Sequence, residues 1–448
     1  MVDETRSLSA FASVLAYEDL PEVVVHEAHR ALLDWLACAF AGAHAAGTDA
    51  LVRVAGRVGP GSTTLVGRGE RASAPFAALV NGFASHVEDY DDTFNPGGTT
   101  VHGSAPVWPV VFAAAQQTPF SGARALAAFV AGFETETRVG LAAGPEHYEA
   151  GWHVTGTTGH LGAAAAAANL FRLAPDVAAQ AFGTAGTQAA GLKNVYGTDG
   201  KALHPGKAAM DGLLAGLAAA EGFSSSSDVL EGERGFLAVL APAPKPDLLT
   251  EGLGRTWHLL ANGYKAYPSG SLTHPTLDAI RTLRARHGFT AGEVSEVEAQ
   301  VHPYAATVTG KVRPRTGLDA KFSLTHGAAV ALVADRPGIE HFTDAGATDP
   351  VLAEMRERVT VVAEPTLTKR GAVVTITTTD GRRFTESVTD NRGTPDNPLP
   401  DDDLAEKFLD SAGPVLGASP ARELLADCWR AGELGDFAAL VERTGAVS

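Results

Sequence analysis

The chain has 448 residues, 45% of them hydrophobic, enough for two domains each with a core of its own. Its formal net charge of -17 argues against nucleic acid and anionic membranes as partners, because both attract basic surfaces. An anionic ligand must then meet a local basic pocket.

No run of about 18 uninterrupted apolar residues occurs, so no spanning helix is expected. The opening stretch MVDETRSLSAFASVLAY carries acidic residues and lacks a basic segment followed by a long apolar one. No signal peptide is read there, and a cytoplasmic location is the expectation. Cys38 and Cys428 each lie in an apolar helical pattern and read as small buried residues. Two thiols cannot supply the three or four thiolates of an iron-sulfur cluster. Any chemistry of the chain must therefore use side-chain acid-base groups or a metal held by oxygen and nitrogen.

Residues 1 to 265 read as helix after helix. Gly67-Arg-Gly-Glu-Arg-Ala72 follows a short β-like run (TTLVG) with the spacing of a dinucleotide fingerprint, yet only one helix follows and no second strand completes a βαβ unit. A turn is expected instead. Pro75 to Val87 is apolar at helical spacing and runs into His86-Val-Glu-Asp-Tyr-Asp-Asp-Thr-Phe94, with His102 eight residues on. Four carboxylates and two imidazoles thus fall within seventeen residues, where helix gives way to the loop Asn95-Pro-Gly-Gly98. Like charges held together raise one another's pKa, which makes a carboxyl group usable as acid or base near neutrality. A solvated acidic helix end, or an adventitious cation site, would have the same pattern. Asp89, Asp91, Asp92 and His102 are all metal-ligating types, but no HExxH or calcium-loop spacing accompanies them, and no essential metal is expected.

Four later segments set a histidine or lysine beside glycine or other small residues: Gly151-Trp-His-Val-Thr-Gly156, Gly200-Lys-Ala-Leu-His-Pro-Gly-Lys207, Lys265 to His274, and Lys321-Phe-Ser-Leu-Thr-His326. Glycine leaves room for a ligand to approach the backbone. The Gly-Lys pairs at 200/201 and 206/207 lack the other residues of a phosphate loop. After Pro268 the pattern changes. Glu293 to His302 alternates, and Arg358 to Ala363, Ala372 to Thr379 and Phe384 to Thr389 are rich in β-formers, with Asp380-Gly381 as a hairpin turn. Helical patterns return from Asp401 to Val441. The expected fold is mainly α with an α+β part: a large helical domain from residues 1-267 and 400-448, and a smaller inserted α/β lid domain from 268-399.

Taken in order, these blocks resemble the MmgE/PrpD family of dehydratases, decarboxylases and epimerases that act on small polycarboxylic acids. The likeness rests on Leu20 to Asp34, Asn81 to His86 leading into Asp89-Tyr-Asp-Asp92, Lys201 to Ala209, Lys265-Ala-Tyr-Pro268 with His274, Lys321-Phe-Ser323, and Gly393 to Leu399 followed by Lys407-Phe408. It implies a cofactor-independent lyase, a polycarboxylate substrate, a site in a cleft between domains and a homodimer. On the same grounds Asp89, Thr93, His102, His153, Lys201 and His274 fall on positions that line the family's site. His102 and His153 would move protons at carbon, with Asp89, Asp91 and Asp92 tuning them or acting as acid. Lys201 and His274 would clamp carboxylates, with Lys265 and His326 also on the substrate side.

Two departures from the family pattern stand out. His326 replaces a common tyrosine. Gly103, in Val101-His-Gly-Ser104, replaces a proline and predicts a more mobile loop. The same groups suit epimerisation, and a catalytically silent binding protein of this fold is the contrasting possibility.

Overall fold

Small side chains set how the helices of this protein meet. In the computed structural model, which describes residues 3–445, the chain divides into two units. The larger takes the chain up to Val87, Asp91–Gly263 and the chain from Pro400; the smaller takes Glu88–Tyr90 and Tyr264–Leu399. The fold is mainly α with a minor α+β part.

In the larger unit the Val154–Leu170 helix is buried along its whole length, because Ala163 to Ala168 present only methyl groups to their neighbours. The Ala74–Val87 and Asp199–Ala220 helices cross at a pair of glycines. A Cβ on Gly82 would lie 2.8 Å from the Gly206 Cα, and one on Gly206 would lie 2.3 Å from the Leu79 carbonyl oxygen. The backbones therefore touch, and any side chain at either position would force the helices apart. Around this contact Trp35 meets Phe112 edge-on at 4.6 Å and Trp108 stacks on Phe129 at 4.3 Å. Such pairs contribute about 0.5–1.5 kcal/mol each beyond the area they bury. Thr63–Thr64 pairs antiparallel with Arg71–Ala72, so the Gly67 segment connects a short hairpin, with Gly67 at φ +72°. Among the described residues no helix is long and apolar enough to cross a membrane.

The smaller unit is built on a four-stranded sheet in the order Val359–Ala363, Val294–Val301, Ala372–Thr378, Arg383–Val388. The first pair is parallel and the others antiparallel. Ala372, Val374, Ile376 and Thr378 alternate inward and the residues between them are half-exposed, the period-two pattern of a sheet with one covered face. Leu277, Ile280 and Leu283 of the His274–His287 helix and Leu324, Ala328 and Leu332 of the Leu324–Val333 helix cover that face. Asp380-Gly381 turns the last hairpin, with Gly381 at φ +83°.

The end of the chain is fastened to its beginning by a buried ion pair. Lys407 Nζ, on the Asp401–Leu416 helix, lies 2.6 Å from Asp34 Oδ1 on the Glu22–Gly42 helix, and Asp34 is fully buried. Removing the cation would strand a carboxylate in the interior, so Lys407→Ala should lose about 3–5 kcal/mol in urea unfolding. The paired change Asp34→Asn with Lys407→Met should lose less than Lys407→Ala alone. Equal losses would show that the two charges are not coupled.

Candidate active site

Three helix ends in the larger unit bring three imidazoles together. His86 is the penultimate residue of the Ala74–Val87 helix, His102 stands two residues before the Ser104–Ala115 helix, and His153 is the N-cap of the Val154–Leu170 helix. All three are buried. The ring centroids lie 4.5 Å apart for His86 and His102, 5.8 Å for His86 and His153, and 6.3 Å for His102 and His153. One nitrogen from each ring lies within 4.8 Å of the others, so this trio is where a metal ion could be gathered.

Asp91 decides how two of the rings are protonated. Its Oδ2 lies 2.7 Å from His86 Nδ1 and 3.1 Å from His102 Nδ1, and the latter nitrogen is also 2.8 Å from the Asp92 backbone carbonyl. Acceptors surround both Nδ1 atoms, so both must carry hydrogen. Burial works to raise the Asp91 carboxyl, but the charges and hydrogen bonds of His86 and His102 hold it well below the usual range. Burial pushes His86 down to about 4 against the pull of Asp91. Hence at neutral pH the carboxylate is ionised and the His86 ring neutral. His86 Nε2 has no hydrogen-bond partner among the described residues. Thr93 Oγ1 lies 3.4 Å from His102 Nδ1, and the Thr155 hydroxyl accepts from the His102 backbone N–H at 2.9 Å.

Lys201 lies near enough for its charge to bear on both His86 and His153, with its ammonium 5.8 Å from the Tyr196 ring centre. His153 Nδ1 is 2.9 Å from His204 Nδ1. Burial, followed by the neighbouring imidazoles and Lys201, holds His153 well below its usual range. Gly103 is buried, and a Cβ there would come within 2.5 Å of the Phe133 ring. The glycine expected to loosen a loop therefore serves close packing at a helix start.

The smaller unit holds the other expected residues. Asp89 adopts φ +53°, a left-handed conformation rare without glycine, and both its carboxylate and its carbonyl oxygen bind Lys265 Nζ, at 3.0 and 2.9 Å. Lys321 pairs with Glu88. His274 Nε2 donates to the Ser269 carbonyl at 3.1 Å. His326 accepts from Arg356 at Nδ1 and donates to the His341 carbonyl from Nε2, both at 2.8 Å, so both its nitrogens are held by protein groups. The structure thus brings His102, His153, Asp92, Thr93 and Lys201 together in the larger unit, and Asp89 with Lys265 in the smaller.

Sequence reasoning gave no role of their own to His204, Glu136 or Tyr196. For His204 the signals were its place near glycine in Gly200–Lys207 and its i, i+3 spacing from Lys201, which sets both on one helix face.

Behind the imidazoles lies a layer of buried acids. Asp92 accepts from the Ser104 hydroxyl at 2.6 Å and from Asn262 Nδ2 at 2.7 Å. Burial, then the charges of Asp34 and Asp91, still raise it to about 7, placing an acid-base group at neutrality. Burial and the Asp92 charge put Glu136 well above its usual value. A carboxyl whose folded pKa exceeds its unfolded value of about 4 adds stability below that value and loses it as pH rises through the folded one. Asp92→Asn cannot titrate. Urea unfolding should therefore show wild type losing stability relative to Asp92→Asn from pH 4 to 7, by up to about 1.4 kcal/mol per pH unit, and no further change above. Parallel curves would remove the assignment.

Comparison with known proteins identifies the family. Residues 6–249 match the MmgE/PrpD N-terminal domain and residues 267–431 the MmgE/PrpD C-terminal domain. A cis-aconitate decarboxylase of Aspergillus terreus is 29% identical over 94% of this chain and 91% of its own. The cis-aconitate decarboxylases of Mus musculus and Homo sapiens are each 26% identical, over 97% and 94% of this chain and 92% and 90% of theirs. With both halves matched in order along nearly the whole sequence, the chain belongs to the MmgE/PrpD family and is a lyase of that type.

Proposed function

We propose that the protein decarboxylates a small tricarboxylic acid of the cis-aconitate class without a cofactor. The observation that carries this reading is the pair of buried imidazoles at helix starts, His102 and His153, beside Lys201 and over the acid layer of Asp91 and Asp92. The names of the relatives point the same way.

When the bond to a departing carboxylate breaks, its electron pair stays on the acid as carbon dioxide leaves. In an unsaturated acid the pair shifts through the double bond toward a second carboxylate, and a proton then adds to carbon. Lys201 supplies positive charge where that negative charge accumulates. His102 and His153 exchange protons with carbon, and Asp91 fixes the His102 tautomer so that Nε2 faces the reaction. The helix starts add partial positive charge suited to an anion. In the smaller unit the Asp89–Lys265 pair is a second candidate for holding carboxylates.

Incubation with cis-aconitate, methylcitrate and citrate tests the reading. Carbon dioxide should leave cis-aconitate, one solvent deuterium should enter the product, and chelator treatment should leave the rate unchanged. No turnover of any of the three acids would overturn it, and loss of water without carbon dioxide would make the protein a dehydratase. His102→Gln and His153→Gln should each lower kcat about a hundred- to ten-thousand-fold while the protein stays folded, with substrate binding surviving better than rate. Lys201→Ala should raise KM and lower kcat together, by about a hundredfold or more in kcat/KM. A fully active Lys201→Ala enzyme would remove that assignment.

A further inference from the structure

His153 does not end the chain of imidazoles. Its Nδ1 lies 2.9 Å from Nδ1 of His204, one turn along the Asp199–Ala220 helix from Lys201. His153 is 2% exposed, whereas His204 is half-exposed, so the second ring is the more solvated of the two.

The His204 ring packs closely against two neighbouring glycines. A Cβ on Gly156 would lie 3.1 Å from its Cβ and Cγ, and a Cβ on Gly191 would lie 3.2 Å from Nδ1. The Gly191 carbonyl also accepts from the His153 backbone N–H at 2.9 Å, so one residue positions both rings. The contact thus has its own supports. Burial, followed by the charges of His160, Lys207 and Lys201, lowers His204 to about 4, and His153 is lowered as well. Two neutral rings can share a hydrogen bond between Nδ1 atoms only as opposite tautomers, one carrying hydrogen on Nδ1 and the other on Nε2.

We propose that His204 is a proton-relay residue acting through His153, taking or giving the Nδ1 proton of that ring in step with each proton that His153 exchanges with substrate at Nε2. When His153 gives its Nε2 proton to carbon, His204 passes its own Nδ1 proton to His153 Nδ1 and gains one at Nε2 from water, whose hydroxide leaves with the released carbon dioxide as bicarbonate. Two protons arrive and two leave, and neither ring ends charged. When His153 takes a proton the transfers run in reverse, and the open, product-free site resets them by exchange with water. A buried imidazole can then act as acid or base without the cost of becoming an ion where burial disfavours charge. The role rests on the decarboxylase reading, but the hydrogen-bonded pair does not.

The test uses the full-length protein. In ¹⁵N-histidine spectra of the ligand-free wild type, assigned with the single variants, His153 and His204 should show opposite neutral tautomers or an average of the two. Both rings in one and the same tautomer would overturn the relay. With cis-aconitate, His204→Gln and His204→Ala should each lower kcat about a hundredfold with KM changed less than about threefold. Free imidazole should restore His204→Ala in proportion to its concentration, because it fits the vacated space. A purely orienting role predicts instead that Gln, which can still hydrogen-bond His153, retains the rate and that imidazole restores nothing; either result would overturn the proposal. If the wild type turns over no acid, the decarboxylase reading fails and the spectra still judge the pair.

Discussion

One carboxylate with two imidazoles on it organises the site. Asp91 is fully buried, and an isolated carboxylate there would cost several kcal/mol. Donors from His86 and His102 offset that cost, and in return the carboxylate fixes both tautomers. The chain between His86 and Asp91 runs through Asp89 at φ +53°, a strained conformation costing about 1–3 kcal/mol. That strain persists because Lys265 grips Asp89 at two oxygens. A short stretch of sequence therefore holds both an orienting anion and the strained residue beside it.

The acids behind Asp91 are graded by their neighbours. The charge of Asp34 helps raise Asp92 to about 7, and that of Asp92 in turn helps to raise Glu136. The carboxylate that Lys407 pairs with thus also bears on the titration of Asp92. Burial likewise puts the Cys38 thiol well above its usual value, with Lys407 and Asp34 among the charges acting on it. At neutral pH it stays a thiol, and the acid layer is the more reactive part of this core.

Much of this was legible in the sequence because it depends on spacing. Helical periodicity marked Pro75 to Val87, alternation and β-formers marked the strands, and Asp380-Gly381 marked the hairpin. The cluster from His86 to His102 announced itself by charge density. Tautomers, by contrast, depend on which acceptor faces which nitrogen, and no spacing rule encodes that. In the sequence His204 is one more histidine near glycine; its close packing against Gly156 and Gly191 is visible only in the fold. The packing role of Gly103 is hidden, because a sequence does not show the Phe133 ring pressed against it. The assignment of Glu88–Tyr90 to the smaller unit is hidden for the same reason: the acidic pattern runs on unbroken while the contacts change.

A chain of net charge -17 that is to bind a polyanion must reverse its own field locally. Lysine is one instrument for this, and its charge also depresses a neighbouring base. Lys201 indeed lowers both His86 and His153. Helix starts supply positive potential without adding a titratable group. His153 caps a 17-residue helix, and His102 stands just before a second helix, so both lie where backbone N–H groups converge. The same potential that favours a carboxylate also disfavours an imidazolium. On the decarboxylase reading, binding the anion and keeping His153 neutral are thus one electrostatic arrangement, because a neutral imidazole keeps the lone pair that a base needs.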